Sequence, residues 1–568
     1  MSDSQHRRHE PEAQLGWSHC CESWFEAHSN RIALLVIAVG LLVRLGAAWG
    51  TFLNPDEALH YLIANQASWR TAYLASLTTA HPPLLILLLY FWRILGASEF
   101  TLRFPSVLLG TAFCWAYFKW LTSVFGRTAG WIGFILVTFL PPMISLSAEV
   151  RQYMLMLLFI TSAAYLLERS LAKNSVGPML LFSICLYLGL LSHYSGFLFA
   201  AAIGVYGLFR LISGRSSVSL IAAWTSGQAG ALGIAVFLYV SHISKQKGST
   251  QAMQAMEEWL RKSYYHPGHD NLFLFVLGRT FGVFQFIFGH LAVGDIAGLL
   301  FLIAVILLFR GKNVTTQSGT SAWQLGVLLF LPFVLNCLAA IMKVYPYGGT
   351  RHCVFLAIFG LAGVSFVLAE WACQQTARGV GVAILVVAVC NVFGAPHRPY
   401  MLRRDQSSQQ MSQAMNAVRH EVPPTVPLFV DYQTSLLLNH YLCPQRAMSF
   451  DSSTANLQAF YCAGYRVISA DPHTWRFDAQ TFLIKWDELV RTDNLKPGDR
   501  VWVIQEGWDI KLAAELQNQF REFRGLHAES FGSDITMFEL RVGQPIPGNA
   551  QPSSAIESGT PETTRMIL

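Results

Sequence analysis

Residues 32–61 read IALLVIAVGLLVRLGAAWGTFLNPDEALHY, and the rest of the chain is read outward from them. The first part, 32–52, is apolar apart from Arg44. About twenty such residues make a helix as long as a bilayer's hydrocarbon is thick. An Arg in the middle of a span is costly and normally faces a bundle interior with a partner, so Arg44 is read as structural. Ahead of this run, residues 1–31 are polar and carry Arg7, Arg8 and Arg31. Basic residues before a first span place the N-terminus in the cytoplasm. With no small-residue cleavage site following, the span reads as a retained helix. Asn54-Pro55-Asp56-Glu57 then emerges on the outer side.

Further apolar runs follow at 81–97, 104–124, 128–147, 151–169, 176–192, 195–213, 219–243, 271–290, 293–310, 324–344, 352–372 and 378–395. Two are weak spans. The run 81–97 is short, opens with Pro82-Pro83 and holds Arg93, and 271–290 holds Arg279 and Gln285. The basic linkers Lys119/Arg127, Arg169/Lys173, Arg210/Arg215, Arg310/Lys312 and Arg378 can all face the cytoplasm if the two weak runs do not cross, or if each adds a crossing placed elsewhere; either way the number of crossings is odd, eleven or thirteen. The composition agrees. Of 568 residues, 53% are hydrophobic and 13% charged, and the mean hydropathy is +0.38. This excludes a disordered chain, a collagen, a coiled coil and an ordinary soluble enzyme. A net charge of +6 without a Lys/Arg cluster gives no reason to expect nucleic acid as a partner. Ten Cys without CxxC or Cys/His spacing give no zinc motif.

The long apolar runs stop near residue 397. Strand-like stretches at 426–430, 466–469, 500–505 and 535–540 alternate with helical patterns at 435–441 and 512–520, which predicts a small α/β domain over 398–545. The odd crossing number puts this domain outside the cytoplasm. There Cys443 and Cys462 can form a disulfide or remain two buried thiols. Residues 546–568, rich in Pro, Ser and Thr, read as a disordered tail. The expected organisation is thus a cytoplasmic segment 1–31, a transmembrane domain 32–397, the α/β domain and the tail.

This topology gathers acids, His, Tyr and Arg on the outer face. Asp56-Glu57 is either an acid pair favoured by a helix N-terminus or a general base at a partly dry boundary. His81 opens a run whose Pro82-Pro83 is a helix start signal, and it can contact a phosphate or cap the helix. Arg103 at a helix start opposes the dipole and calls for an anionic partner. Glu149 and Tyr153 are four apart, with Arg151 between them. His193-Tyr194 lies at another outer turn, where packing is the commoner role. In the loop with Tyr345, Tyr347 and Arg351, Gly348-Gly349 allows close backbone approach to a ligand, and the Arg351 fork suits phosphate. An acid with several cations suits transfer from a phosphate-linked donor, with base on the acceptor and positive charge on the leaving phosphate. A lipid-linked sugar carrier or flippase remains the alternative. Its usual sign, an internal repeat with paired broken helices, is absent from the sequence.

Asp56-Glu57-Ala58 with Tyr61, His81-Pro82-Pro83-Leu84, Arg103-Phe104-Pro105-Ser106 and Glu149-x-Arg151-x-Tyr153 resemble, in that order, the dolichyl-phosphate-mannose protein mannosyltransferase-like family. That family belongs to the GT-C glycosyltransferases and includes bacterial aminoarabinose transferases. The resemblance covers roughly 30–395 and is strongest over 30–210. It implies a multi-pass helical GT-C fold and inverting transfer of one sugar from a polyprenyl-phosphate donor on the extracytoplasmic face. The acceptor would be a lipid, a glycan or a protein. By motif, Asp56 is the implied base and Glu57 its neighbour in the acidic pair. Arg103, Arg151 and Arg351 would hold the donor phosphate or the acidic groups around it, and His81 and Tyr153 would line the pocket. Glu149, His193, Tyr345 and Tyr347 complete the candidate substrate-binding set. The donor lipid would lie between spans against membrane lipid. Two departures matter: the first outer loop is short, and His81 stands where aminoarabinose transferases often carry Lys. No cofactor is expected and divalent-metal use is left open. A cell inner membrane is the expected location.

Overall fold

The computed structural model describes residues 10–77, 79, 81–246, 260–311, 319–394, 407–443, 456–471, 474, 477–506 and 511–543, with side chains from Glu22 on. The expected boundary at 397/398 and the tail 546–568 lie outside these residues. The chain forms two compact units, one of Met1–Gln409 with Pro444–Ser453, the other of Gln410–Cys443 with Thr454–Leu568.

The first unit is helical. Helix α1 (Glu10–Ala48) begins inside the expected polar segment 1–31 and ends four residues before the end of the apolar run. Gly50, at φ 77°, turns the chain out of it. Next come α2 (Pro55–Ala64), α3 (Trp69–Ser76) and α4 (Leu84–Trp92), which continues as a 3₁₀ turn through Leu95. At about 1.5 Å per residue, α4 and this turn fall well short of a hydrocarbon core of about 30 Å. Helix α5 (Glu99–Phe139) contains a non-helical residue, Gly126 (φ 85°, ψ 176°). Beyond it the chain doubles back, so that a Cβ on Gly130 would fall 2.1 Å from Thr122 Oγ1 and the Phe118 and Trp131 rings lie 5.1 Å apart. The expected runs 104–124 and 128–147 are therefore the two arms of a hairpin. Helices α6 (Pro141–Ser147), α7 (Tyr153–Lys173), α8 (Val176–Ser192), α9 (Ser195–Ser213), α10 (Val218–Leu238), α11 (Leu272–Phe288), α12 (Leu291–Phe309), α13 (Ala322–Ile341), α14 (Leu356–Trp371) and α15 (Thr376–Val392) complete the unit. Among the described residues, seven helices are long and apolar enough to cross a membrane. Helix α14 is apolar on all sides, and every residue from Leu356 to Ala369 is buried, which makes it the centre of the bundle.

Arg44 explains how α5 gives way to α6. Pro141 and Pro142 have no N–H, so the carbonyls of Val137 and Thr138 lose their helical donors. Arg44 supplies both, from Nη2 to Val137 O at 3.1 Å and from Nη1 to Thr138 O at 3.0 Å. Asn391 Nδ2 donates to the next carbonyl, Phe139 O, at 3.0 Å. Arg44 Nε donates to Ser147 Oγ at 3.0 Å, which in turn donates to Met143 O at 2.6 Å. The cation thus sits against the negative end of a helix dipole and holds the segment that leads to Glu149 and Arg151. This is the buried, partnered role expected of it.

In the second unit, helix α16 (Ser408–Glu421) leads in. A six-stranded sheet has the order β2-β3-β1-β4-β6-β5, made of β1 (Leu428–Val430), β2 (Leu457–Cys462), β3 (Tyr465–Ala470), β4 (Arg500–Glu506), β5 (Ala528–Phe531) and β6 (Ile535–Arg541). The buried β1 pairs in parallel with β3 and β4, and the outer pairings are antiparallel. Helices α17 (Tyr432–Tyr441), α18 (Ala479–Thr492) and α19 (Leu512–Gln519) join the strands. The α/β expectation holds, with β2, β5, α16 and α18 added to it. Cys443 and Cys462 form a disulfide.

Replacing Arg44 by Met keeps the side chain's length and removes both donors. The loss expected is about 1–3 kcal/mol for each orphaned carbonyl. It would be read as a lower thermal midpoint of the detergent-solubilised protein; an unchanged midpoint would contradict this role.

Candidate functional site

The turns that carry the candidate residues converge on the N-terminus of α2. Asn54 caps that helix: its Oδ1 accepts from Glu57 N–H, while Glu57 Oε2 accepts from Asn54 N–H, each at 3.0 Å. Arg103 from the first arm of α5 then grips the Glu57 carboxylate with two parallel bonds, Nε to Oε1 at 2.8 Å and Nη2 to Oε2 at 2.7 Å. Val150 N–H donates to the same Oε1 at 2.9 Å. Arg103 also donates to Thr51 O and Phe52 O, each at 2.8 Å, and both side chains of the pair are fully buried. The second acid of the expected catalytic pair is thereby corrected to a strut. Its oxygens are already filled by four donors and are closed to solvent. Arg103 holds this carboxylate, which is the acidic-group half of what its motif implies.

Asp56, one residue earlier, points elsewhere and keeps a 17% exposed side chain. Its Oδ2 meets two cations, Arg151 Nη2 from the α6–α7 turn and, at 2.7 Å, Arg351 Nη2 from the α13–α14 loop. Glu149 Oε2 lies 3.9 Å from Arg151 Nε. Burial pushes the Glu149 carboxyl up to about 7 against the pull of Arg351.

Around these charges runs a file of imidazoles. His60 and His81 stack with centroids 5.5 Å apart, His81 and His193 at 6.0 Å, and His193 and His352 at 6.2 Å. Tyr153 packs on His193 at 5.3 Å, and Tyr345 meets it edge-on at 6.5 Å. Burial is the main reason all four stay neutral, with nearby Arg side chains adding to it. His60 is lowered to about 4 and His193 to about 3, and His81 and His352 fall well below the usual range. His193 Nδ1 lies 2.8 Å from Ser195 Oγ and 3.3 Å from Ser195 N, so Ser195 fixes the orientation of the ring. His60 Nδ1 lies 2.5 Å from Asp56 O and must donate to it. Several buried groups in this region have no hydrogen-bond partner among the described residues: His81 Nδ1, Glu149 Oε2, the Gln152 amide and the Tyr153 hydroxyl.

The structure therefore brings together Asp56, His81, Glu149, Arg151, Tyr153, His193, Tyr345 and Arg351. Tyr347 does not join them. Its hydroxyl bonds Thr280 Oγ1 of α11 at 2.7 Å, so it is corrected to a packing residue. Gly348-Gly349 also takes a different role. A Cβ at Gly349 would fall 2.4 Å from Gly282 O, so the close approach is to the α11 backbone rather than to a ligand. His60, His352 and Gln152 were not singled out from the sequence. His60 was legible as the residue four after Asp56 on one helix face, and His352 as the neighbour of Arg351. Among the described residues no group of three or more His, Cys, Asp and Glu is placed to hold a metal ion.

Comparison with known proteins bears on the fold. Residues 80–241 match the family described as dolichyl-phosphate-mannose-protein mannosyltransferase. The structure is similar to that of apo ArnT from Cupriavidus metallidurans, with TM-score 0.51 and 12% identity, covering 90% of this chain and 98% of that one. The first unit has the GT-C fold. The family resemblance carried by the motifs is borne out, and the fold class expected from it holds. ArnT from the same organism bound to undecaprenyl phosphate gives TM-score 0.48 at 13% identity, covering 89% of this chain and 97% of that one. The Archaeoglobus fulgidus oligosaccharyltransferase tethered to an acceptor peptide gives 0.45 at 11%, covering 90% and 74%. No curated protein sequence matches this chain.

Two predictions separate strut from site. Glu57→Gln leaves Arg103 buried beside a neutral amide and should cost about 3–5 kcal/mol. Asp56→Asn also takes an anion from Arg151 and Arg351, but at a partly exposed position, so it should lower the thermal midpoint less than Glu57→Gln does. Equal midpoints for the two variants would contradict the assignment. The second concerns pH. His193 has a lowered folded pKa, so the stability it contributes is complete above its ordinary value of 6.5 and is lost as pH falls toward about 3. His193→Gln should flatten the decline of the midpoint below pH 6.5, and an unchanged slope would contradict a buried neutral imidazole.

Proposed function

We propose that this protein is an integral-membrane glycosyltransferase that moves one sugar from a polyprenyl-phosphate-linked donor to a lipid, glycan or protein acceptor on the extracytoplasmic face, with inversion. The observation that carries the reading is the partly exposed Asp56 carboxylate, set between two guanidiniums inside an otherwise neutral, buried polar cluster. The name of the family matched over residues 80–241 supports a lipid-phosphate donor. The Cys443–Cys462 disulfide supports an oxidising compartment for the second unit.

In this mechanism Asp56 takes the proton of the acceptor's hydroxyl or amide as that atom attacks the sugar's anomeric carbon. The bond from that carbon to the phosphate oxygen breaks, and its electron pair goes to the phosphate. Arg151 and Arg351 stabilise the charge that develops there. Glu57 and Arg103 take no part in proton transfer and fix α2 so that Asp56 stays in register. Neutral imidazoles and tyrosines offer hydrogen bonds to the sugar without adding charge.

The test is single-turnover sugar release from a panel of polyprenyl-phosphate sugars, with membrane extract supplying acceptors. Asp56→Asn should reduce release by a factor on the order of 10² to 10⁴ while still binding donor. Donor binding without release by the wild-type protein would point to a carrier, and no binding would contradict the lipid-phosphate reading.

A further inference from the structure

Asp56 is arranged in a way that a resting general base should not be. Both guanidiniums end on the same oxygen, Oδ2. A carboxylate whose charge is shared by two cations is a poor proton acceptor. The other groups facing it do not fully offset those cations. On α2, Glu57 is committed to Arg103 and His60 is neutral. On the α6–α7 turn, Glu149 is driven toward its protonated form by burial. On the α13–α14 loop, His352 is neutral. Asp56 is thus the anion that both cations share.

We propose that Asp56 is capped by its own phosphate-binding residues in the donor-free protein, and that the donor's phosphate releases it by drawing Arg351 away. This rests on the proposed function. Arg351 is the cation placed to move. Its side chain is 17% exposed, against 3% for Arg151, whose backbone N–H is held by Glu149 O at 2.8 Å. Gly349, two residues before Arg351, packs against the backbone of Gly282, and the movement is assigned to the long Arg351 side chain. A sugar phosphodiester brings one negative charge with oxygens that fit a guanidinium fork. The phosphomonoester formed by transfer brings up to two. The competition for Arg351 therefore strengthens as the sugar leaves, when Asp56 must accept the proton. Donor binds first, and acceptor is deprotonated only in the donor complex. A free base that could direct water at the donor is thereby avoided.

If Asp56 and phosphate compete for the same guanidiniums, removing the Asp56 charge must tighten phosphate binding. Equilibrium binding of undecaprenyl phosphate to the full chain in nanodiscs tests this with wild type, Asp56→Asn, Arg351→Gln and the double variant. Asp56→Asn should bind on the order of tenfold more tightly, and Arg351→Gln should bind more weakly. The gain from Asp56→Asn should shrink when Arg351 is also replaced, because the two effects share one contact. Asp56→Ser provides a second charge-free variant should the amide fail to fold. Binding by wild type with no gain, or a loss, in a folded charge-free variant would overturn the capping. Absence of binding in wild type and charge-free variants alike would overturn the proposed function itself, which keeps the two failures apart.

Discussion

The buried ion pair between Glu57 and Arg103 is the constraint on which the site end of the helical unit depends. It joins the exit from α1 through Thr51 and Phe52, the start of α2, the first arm of α5 and the turn at Val150. A buried ion pair adds little net stability, because desolvating two charges offsets most of their attraction. What it provides is geometry. With every oxygen of Glu57 satisfied, the first turn of α2 can neither rotate nor slide, and the carboxylate of Asp56 is held toward Arg151 and Arg351. Arg44 performs a related task from behind, by replacing the donors that Pro141 and Pro142 remove and so aiming α6 and the turn that carries Glu149 and Arg151.

Two adjacent acids thus do opposite work. On a helix, neighbouring residues point about 100° apart, so an Asp-Glu pair cannot share a partner. One is fully buried and spent on structure. The other is partly exposed, and its partners are the cations that a phosphate would also choose. The sequence contains both carboxylates side by side and gives no local sign of which is which. The difference depends on Arg103, 46 positions away from Glu57, and on Arg351, 295 positions away from Asp56.

The membrane helices were legible because long apolar runs separated by basic or polar turns leave few alternatives. Even the reversal inside α5 shows as two runs around Gly126. The motifs were legible as a set because the expected topology puts every one after a run that ends on one side. Less was readable where the signal is tertiary. Tyr347 has the composition of a ligand contact and is spent on Thr280. His60 and His352 join the site through ring stacking that no spacing rule marks. In the second unit, the strands β2 and β5 are only partly buried and lack the apolar alternation by which the buried strands were found. Helix α1 extends ahead of the apolar run because polar residues continue a helix when nothing breaks it.

The central claim is that a lipid phosphate occupies the cations beside Asp56. The most direct test is a cryo-electron microscopy structure of the full chain with bound undecaprenyl phosphate. The account predicts the phosphate within hydrogen-bond distance of Arg151 and Arg351, with Arg351 parted from Asp56 and the Glu57–Arg103 pair unchanged. A phosphate bound elsewhere, with Asp56 still held by both guanidiniums, would contradict it.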